Sequence, residues 1–571
     1  MKHSIFQFRN APEKLEEHAL RIFEARLQKR GLTPDPECEI TVVRNERCMP
    51  DEFRFSGSCG AGKLQLDCGG PAAFLYAVGK ILRTGKYQDG IFSPGSWRGV
   101  WRPEKSFRCV YFASHFYNVY EVGPIEEIEE YIEDLALQGY NNFQLTTGSA
   151  AKIAGSPETI NDFNRRKRLW KYAIELGMKI NVSVSNHGYA DSPKEMRAVP
   201  TGHSFFGTEI CPNHPEGMEY LLKKNREYFE SIKDLDVATV KFWPYDQGGC
   251  GCEKCFPYGA NGMFTLAEKT VPLIREYWPD AKIMWATWEF DWHRDNGEWE
   301  TLYKKINSGE ADFIDIIMAD SHGSFPAYPL NHPLPGKTQL VTFPEISMWG
   351  RAPWGGFGAT PLPKRFSNLF GEIAHLADGG ILYSEGIFED FNKSLYANFF
   401  ATGKNDTADT IWEYAHYEFG LPDSAMDDFN RLLELMEDNH EGVIWIEKQE
   451  EGCELFDVLK TKPIWSLKGK TWDGTEEMLA LAKKLDAQMP EWARKSWRWR
   501  LFYLRAVIDC EFAHHDNETN EITEKAMLEL VDMYHVSPVT ASRRVSPFTD
   551  EWIKHHVKEE FRLNRKTIGV D

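Results

Sequence analysis

The sequence predicts an α/β chain built on a (β/α)8 TIM barrel, with a small α/β domain before it and an α-helical domain after it. Three observations predict this. From Ser106 onward, apolar runs of strand length alternate with amphipathic helical segments. The repeat occurs about eight times over about 290 residues, which fits such a barrel in count and size. Most of the apolar runs end in polar clusters, and several of these contain a carboxylate, the position where barrels of this kind carry their chemistry. The implied boundaries are 1–105, 106–395 and 396–571.

The N-terminal domain has strand-like runs at 40–43 and 63–67. Pro71 opens a helix through Ala73, Leu75, Val78 and Leu82, and Gly85 stops it. The barrel strands are expected at 109–113, 142–146, 179–184, 237–243, 282–287, 313–318, 339–343 and 380–383. Between the first two, Ile125, Ile128, Ile132 and Leu135 recur at spacings of three and four, the period of a helix face. Leu169, Ala173 and Leu176 mark the next helix, stopped by Gly177. Further helices are expected at 214–233, 265–277, 298–306 and 363–376. The C-terminal region reads as helices at 410–419, 426–437, 476–487 and 490–512. The last carries Trp492, Trp497, Trp499 and Phe502, read as packing against the barrel.

The chain has 571 residues, 42% hydrophobic, and a net charge of −20 with no long basic run. Nucleic acid and anionic membrane are therefore poor partners. No segment approaches the ~20 apolar residues that span a bilayer, and residues 1–10 contain no apolar signal core. A soluble, cytoplasmic protein is expected, with homo-oligomers left open. Its 11 cysteines are an odd number, and those scattered singly read as free buried thiols.

The strand ends are rich in side chains that suit sugars. His115 follows the first strand and His187 the third. Trp243, Tyr245 and Asp246 end the fourth, and Trp288 and Glu289 the fifth. Asp320 and His322 follow the sixth, Glu345, Arg351 and Trp354 the seventh, and Glu385 the eighth. Aromatic faces stack on the apolar faces of sugars, while His, Asp and Arg bond hydroxyls. Paired carboxylates supply the acid and the base or nucleophile at a glycosidic bond. Asp246 is read as the general acid/base and Glu345 as the nucleophile or water-activating base. Strands four and seven lie nearly opposite each other in the ring, which lets these two flank one bond. Glu385 is an alternate partner or a hydroxyl-binding group. Glu389 and Asp390 read as a helix N-cap or surface charge. No catalytic cofactor is implied.

The three-part layout resembles that of α-glucuronidases and β-N-acetylhexosaminidases. Gly70-Pro-Ala-Ala-Phe-Leu-Tyr-Ala-Val78 resembles the helix of their N-terminal domain. Cys211-Pro-Asn-His-Pro-Glu216 and Cys250-Gly-Cys-Glu-Lys-Cys255 resemble segments of a broader set of glycosidase-like barrels. The resemblance implies an exo-acting glycoside hydrolase on a small oligosaccharide or glycoside. An acid on strand four with a nucleophile on strand seven resembles many retaining barrel glycosidases and leans towards retention, while inversion stays open: a carboxyl gap of about 5 Å goes with retention and one of roughly 6.5–9.5 Å with inversion. Hexosaminidases that use the substrate acetamido group carry an adjacent acidic pair after strand four. Here Asp246 is followed by Gln247, which favours a pair drawn from separate strands.

Cys250, Cys252 and Cys255 form a C-x-C-x-x-C motif. Tetrahedral zinc takes four thiolate or imidazole ligands. Cys211, His214 or His187 can supply the fourth, and Cys211 is preferred because it precedes the same β–α unit. Such a zinc would be structural, pinning the loop that carries Asp246. The other reading is three unliganded thiols in a tight loop. Two further functional readings stand beside the glycosidase. One is a metal-dependent sugar isomerase or hydrolase with His187, Glu289, Asp320 and His322 as ligands. The other is a carbohydrate-binding barrel without turnover.

Overall fold

A computed structural model describes residues 5–59, 64–114, 119–145, 157–184, 193–200, 209–245, 249–291, 297–321, 324–344, 346, 358–439, 471–518 and 520–534. Its centre is a closed barrel of eight parallel strands. These are β1 (Phe107–Phe112), β2 (Asn142–Leu145), β3 (Lys179–Ser183), β4 (Val237–Phe242), β5 (Lys282–Ala286), β6 (Ile316–Asp320), β7 (Gln339–Phe343) and β8 (Gly379–Ser384). Each strand pairs with the next, and β8 closes the ring by pairing with β1 from Gly379↔Phe107 to Ser384↔Phe112. The closure needs glycine. Gly379 has φ +139, and a Cβ there would lie 1.8 Å from the Phe107 carbonyl oxygen.

The helices that follow the strands are α1 (Ile125–Leu137), α2 (Pro157–Glu175), α3 (Pro215–Ile232), α4 (Gly262–Tyr277), α5 (Glu298–Ser308), α6 (Ala327–Asn331), α7 (Pro363–Ile373) and α8 (Asp390–Thr402). On α1 the buried positions Ile128, Ile132 and Leu135 are those set by the helical spacing. The strands are buried on both faces, as all-parallel sheets are, so they read as near-continuous apolar runs rather than alternating ones. The sixth strand begins three residues later than expected, at Ile316. Just before it, the Asp315 carboxylate accepts from the Ile283 amide of β5 at 2.8 Å.

Before the barrel, strands Ile40–Arg44 and Leu64–Cys68 lie in a five-stranded sheet with Phe6–Phe8, Phe53–Ser56 and Gly99–Trp101. Helices Lys14–Lys29 and Pro71–Arg83 pack together beside it. Cys38 and Cys59 are joined in a disulfide. This corrects the expectation that the singly scattered cysteines are free, although Cys48, Cys68, Cys109 and Cys510 are free and buried. No described helix is long and apolar enough to cross a membrane.

After α8 come helices Ala408–Phe419, Met426–Asp438, Thr475–Asp486, Glu491–Arg494, Trp497–His514 and Glu521–Tyr534. Trp499 is buried against Phe419 and Phe502, and its indole N–H reaches Asp486 at 2.8 Å. Trp497 meets Tyr131 of α1 edge-on at 5.9 Å, so it is Trp497 that seats the helix Trp497–His514 on the barrel, while Trp499 and Phe502 pack within the helical region rather than against the barrel as expected.

Glu389 occupies the N-cap position of α8, but its side chain is not a cap and is not a surface charge. It is fully buried beside Lys393, at 3.3 Å, and accepts from the Ser384 hydroxyl. Lys393 also donates to the Tyr120 and Tyr131 hydroxyls and to the Gly386 carbonyl. Burial pushes Glu389 up and Lys393 down, and their mutual attraction opposes both shifts. The pair locks the turn after β8, and with it the placement of Glu385.

Candidate active site

The C-terminal mouth of the barrel is lined by an aromatic wall from four strands. Trp243, just past β4, stacks on Trp288, just past β5, with centroids 5.8 Å apart. Phe343 of β7 meets both edge-on, at 5.3 and 6.0 Å. Tyr383 of β8 lies 5.8 Å from Phe343 and 5.4 Å from Tyr111 of β1. Lys241 of β4 is buried among these rings, its ammonium 4.4 Å from Trp243, 4.9 Å from Tyr111 and 5.8 Å from Phe343. A lysine within an apolar strand was the sequence signal for this buried cation, and it was read only as part of the strand.

Carboxyl groups sit at three strand ends beside this wall. Glu385 is 2% exposed, and its Oε1 accepts from the Tyr383 hydroxyl at 2.7 Å. Glu289 is 3% exposed and adjoins Trp288, with a left-handed backbone at φ +61. That conformation is uncommon for a side-chain-bearing residue and is held by the surrounding structure. Asp320 ends β6, its amide bonded to the Thr287 hydroxyl at 3.3 Å.

Burial pushes the Glu289 carboxyl up from 4.5 to about 8. The folded state therefore holds a proton that the unfolded chain has released, so stability is lost as pH rises between about 4.5 and about 8. A rise of this size corresponds to at most ~5 kcal/mol. Glu289→Gln mimics the protonated form. Its melting temperature should match the parent's near pH 5 and exceed it near pH 9. A difference between the two proteins that does not change with pH would contradict this.

Tyr245 takes a place other than the sugar-binding one expected. It is fully buried, and its hydroxyl donates to Glu298 Oε1 at 2.5 Å. The Glu298 carboxylate also accepts from the Gly259 and Asp291 amides, both at 3.0 Å. Asp291 in return accepts from the Glu298 amide at 2.8 Å. Glu298, which sequence reasoning passed over as a helix start, thus ties the rim after β4 to the rim after β5. Burial holds its carboxyl up at about 7.

The four cysteines come together. Sγ of Cys211 lies 3.8 Å from that of Cys252 and 3.7 Å from that of Cys255. All four sulfurs, with Cys250, lie within 4.8 Å of one another. Among the described residues this is the group of three or more metal-capable side chains so gathered. His214 is elsewhere engaged: it caps α3, its Nδ1 accepting from the Gly217 amide at 3.2 Å. Asp246, Glu345, His115, His187, His322, Arg351 and Trp354 lie outside the described residues. A cleft of about 510 Å³ lined by Trp97, Trp101 and Glu413 lies at the opposite end of the barrel, against the approach to β1.

No protein-family profile and no curated protein matches this chain. Solved structures do. A family GH115 4-O-methyl-α-glucuronidase with specificity for decorated arabinogalactans superposes with a TM-score of 0.59 at 10% identity, over 95% of this chain and 77% of that one. A family 89 glycoside hydrolase from Clostridium perfringens, in complex with 2-acetamido-1,2-dideoxynojirmycin, gives 0.56 at 13% identity, over 91% of this chain and 66% of that one. A GH138 enzyme targeting pectin rhamnogalacturonan II gives 0.52 at 9% identity, over 92% and 74%. The fold is thus one that glycoside hydrolases use, N-terminal domain and helical region included. This chain spans about two thirds of the length of the clostridial enzyme.

Proposed function

We propose that the chain is a glycoside hydrolase that cleaves a terminal sugar from a small oligosaccharide or glycoside. The observation that carries this reading is the mouth of the barrel, where the Trp243–Trp288–Phe343–Tyr383 wall stands beside Glu289 and Glu385. An aromatic face next to carboxyl groups, one of them held protonated near neutral pH, is what sugar binding with acid catalysis requires. Carbohydrate-processing enzymes with the same fold over nine tenths of the chain support it; fold alone does not carry function.

In this reading Asp246 gives a proton to the leaving oxygen. Glu345 attacks the anomeric carbon or activates water there. Glu385, oriented by the Tyr383 hydroxyl, bonds a sugar hydroxyl or takes over the partner role. Glu289 serves as a neutral donor at the wall. The test is a panel of aryl glycosides, assayed with the purified chain before and after chelator treatment, with the metal content measured alongside. Turnover indifferent to chelator is expected. Turnover abolished by it would favour a metal-dependent sugar isomerase or hydrolase, and sugar affinity without turnover would favour a binding barrel.

A further inference from the structure

We propose that Cys211, Cys250, Cys252 and Cys255 bind one zinc ion as thiolates, forming a clasp between the loop after β3 and the loop after β4. Zinc holds four thiolates at ~2.3 Å in a tetrahedron, and the edge of that tetrahedron is ~3.8 Å. Two of the sulfur separations, 3.7 and 3.8 Å, match that edge, and all four sulfurs lie within 4.8 Å of one another. Soft sulfur in tetrahedral array selects zinc or iron–sulfur chemistry over hard cations.

The surroundings are built for this. The Cys255 and Phe256 amides both bond the Cys252 carbonyl at 2.9 Å, curling the chain so that Cys252 and Cys255 face the same point. The Asn213 amide group donates to Cys255 Sγ at 3.1 Å, a contact of the kind that orients a ligand and tunes its charge. Cys250 and Cys255 are fully buried. The Gly251 amide bonds the Val199 carbonyl at 2.7 Å, and the Cys211 amide bonds the Met196 carbonyl at 3.0 Å, so one short segment backs both halves of the site. Gly251 has to be glycine, because a Cβ would lie 2.4 Å from the Pro200 carbonyl oxygen. Binding releases the four thiol protons to solvent as the metal–sulfur bonds form. Asp246 lies four residues before Cys250 in the sequence.

Metal analysis needs no turnover, so it can fail or succeed independently of the glycosidase reading. The full chain, purified under reducing conditions, should contain about one zinc per molecule. Zinc-edge X-ray absorption should report four sulfur neighbours. Cys252→Ser, a half-exposed ligand, should lose the metal or fit three sulfurs and one light atom. Cobalt(II) exchanged into the parent should give tetrahedral ligand-field and thiolate charge-transfer bands. The proposal is overturned by a metal-free chain that takes up no added zinc, by four thiols that react freely in the native protein, by disulfides among these cysteines, or by iron in place of zinc.

Discussion

Asp246→Asn and Glu345→Gln should each lower kcat by at least about 10²-fold, the lower end for a lost general acid or base, and by more if Glu345 is the nucleophile. The melting temperature should move little. The flanks of both residues explain the asymmetry. Trp243, three residues before Asp246, is clamped between Trp288 and Phe343. Tyr245, immediately before it, is anchored to Glu298. Phe343, two residues before Glu345, closes the same aromatic cluster. The segments that flank both positions are therefore held by side chains other than the two replaced. Steady-state kinetics on the best aryl glycoside, with thermal melting alongside, checks this. Activity within about tenfold of the parent in both variants would remove the pair from catalysis and move the role to Glu385.

Arg498→Met should cost about 3–5 kcal/mol of stability, because it leaves buried carboxylates without their cation. Arg498 donates to Asp390 of α8 at 2.7 Å and to Asp134 of α1 at 2.9 Å, and lies 3.6 Å from Glu418. Asp134 is shared with Arg26 of the N-terminal helix at 2.8 Å. One guanidinium thus joins the helix Trp497–His514 to the barrel, and through Asp134 to the N-terminal helix Lys14–Lys29. Although burial alone would raise Asp134, Arg26 and Arg498 hold it down at about 2. Its contribution is therefore present above the unfolded value of 3.8 and is lost as pH falls towards 2. Denaturant titration of parent and variant at neutral pH measures the cost. A loss under about 1 kcal/mol, the scale of a solvent-screened pair, would show that the network does not hold the regions together.

The barrel was legible because its strands carry a plain signal: apolar runs buried on both faces, separated by helices with a clear stripe. The short edge strands Phe6–Phe8 and Gly99–Trp101 were not, since three residues hold too little periodicity to read. The Cys38–Cys59 disulfide was missed because spacing alone does not pair cysteines 21 residues apart. In the site, the positions of Trp243, Trp288 and Glu385 followed from their strand ends. The burial of Lys241, the engagement of Tyr245 by Glu298 and the inward turn of Glu389 did not. The first two depend on partners the fold brings from distant segments; Glu389 pairs locally with Lys393, but its burial comes with the Tyr120 and Tyr131 hydroxyls that hold Lys393, which no local pattern encodes. Cys211 was legible as a companion of the C-x-C-x-x-C motif because consecutive β–α loops on one barrel face are neighbours in space.

The glycosidase reading is tested most directly by proton NMR of the purified chain acting on the best glycoside of the panel. Free reducing sugar should accumulate, appearing first as the same anomer as the substrate, as the strand-four and strand-seven pair implies. First appearance of the opposite anomer would refute retention while leaving hydrolysis in place. Conversion to an isomeric sugar, or binding of sugars across the panel with no release, would contradict the assignment of this barrel as a glycoside hydrolase.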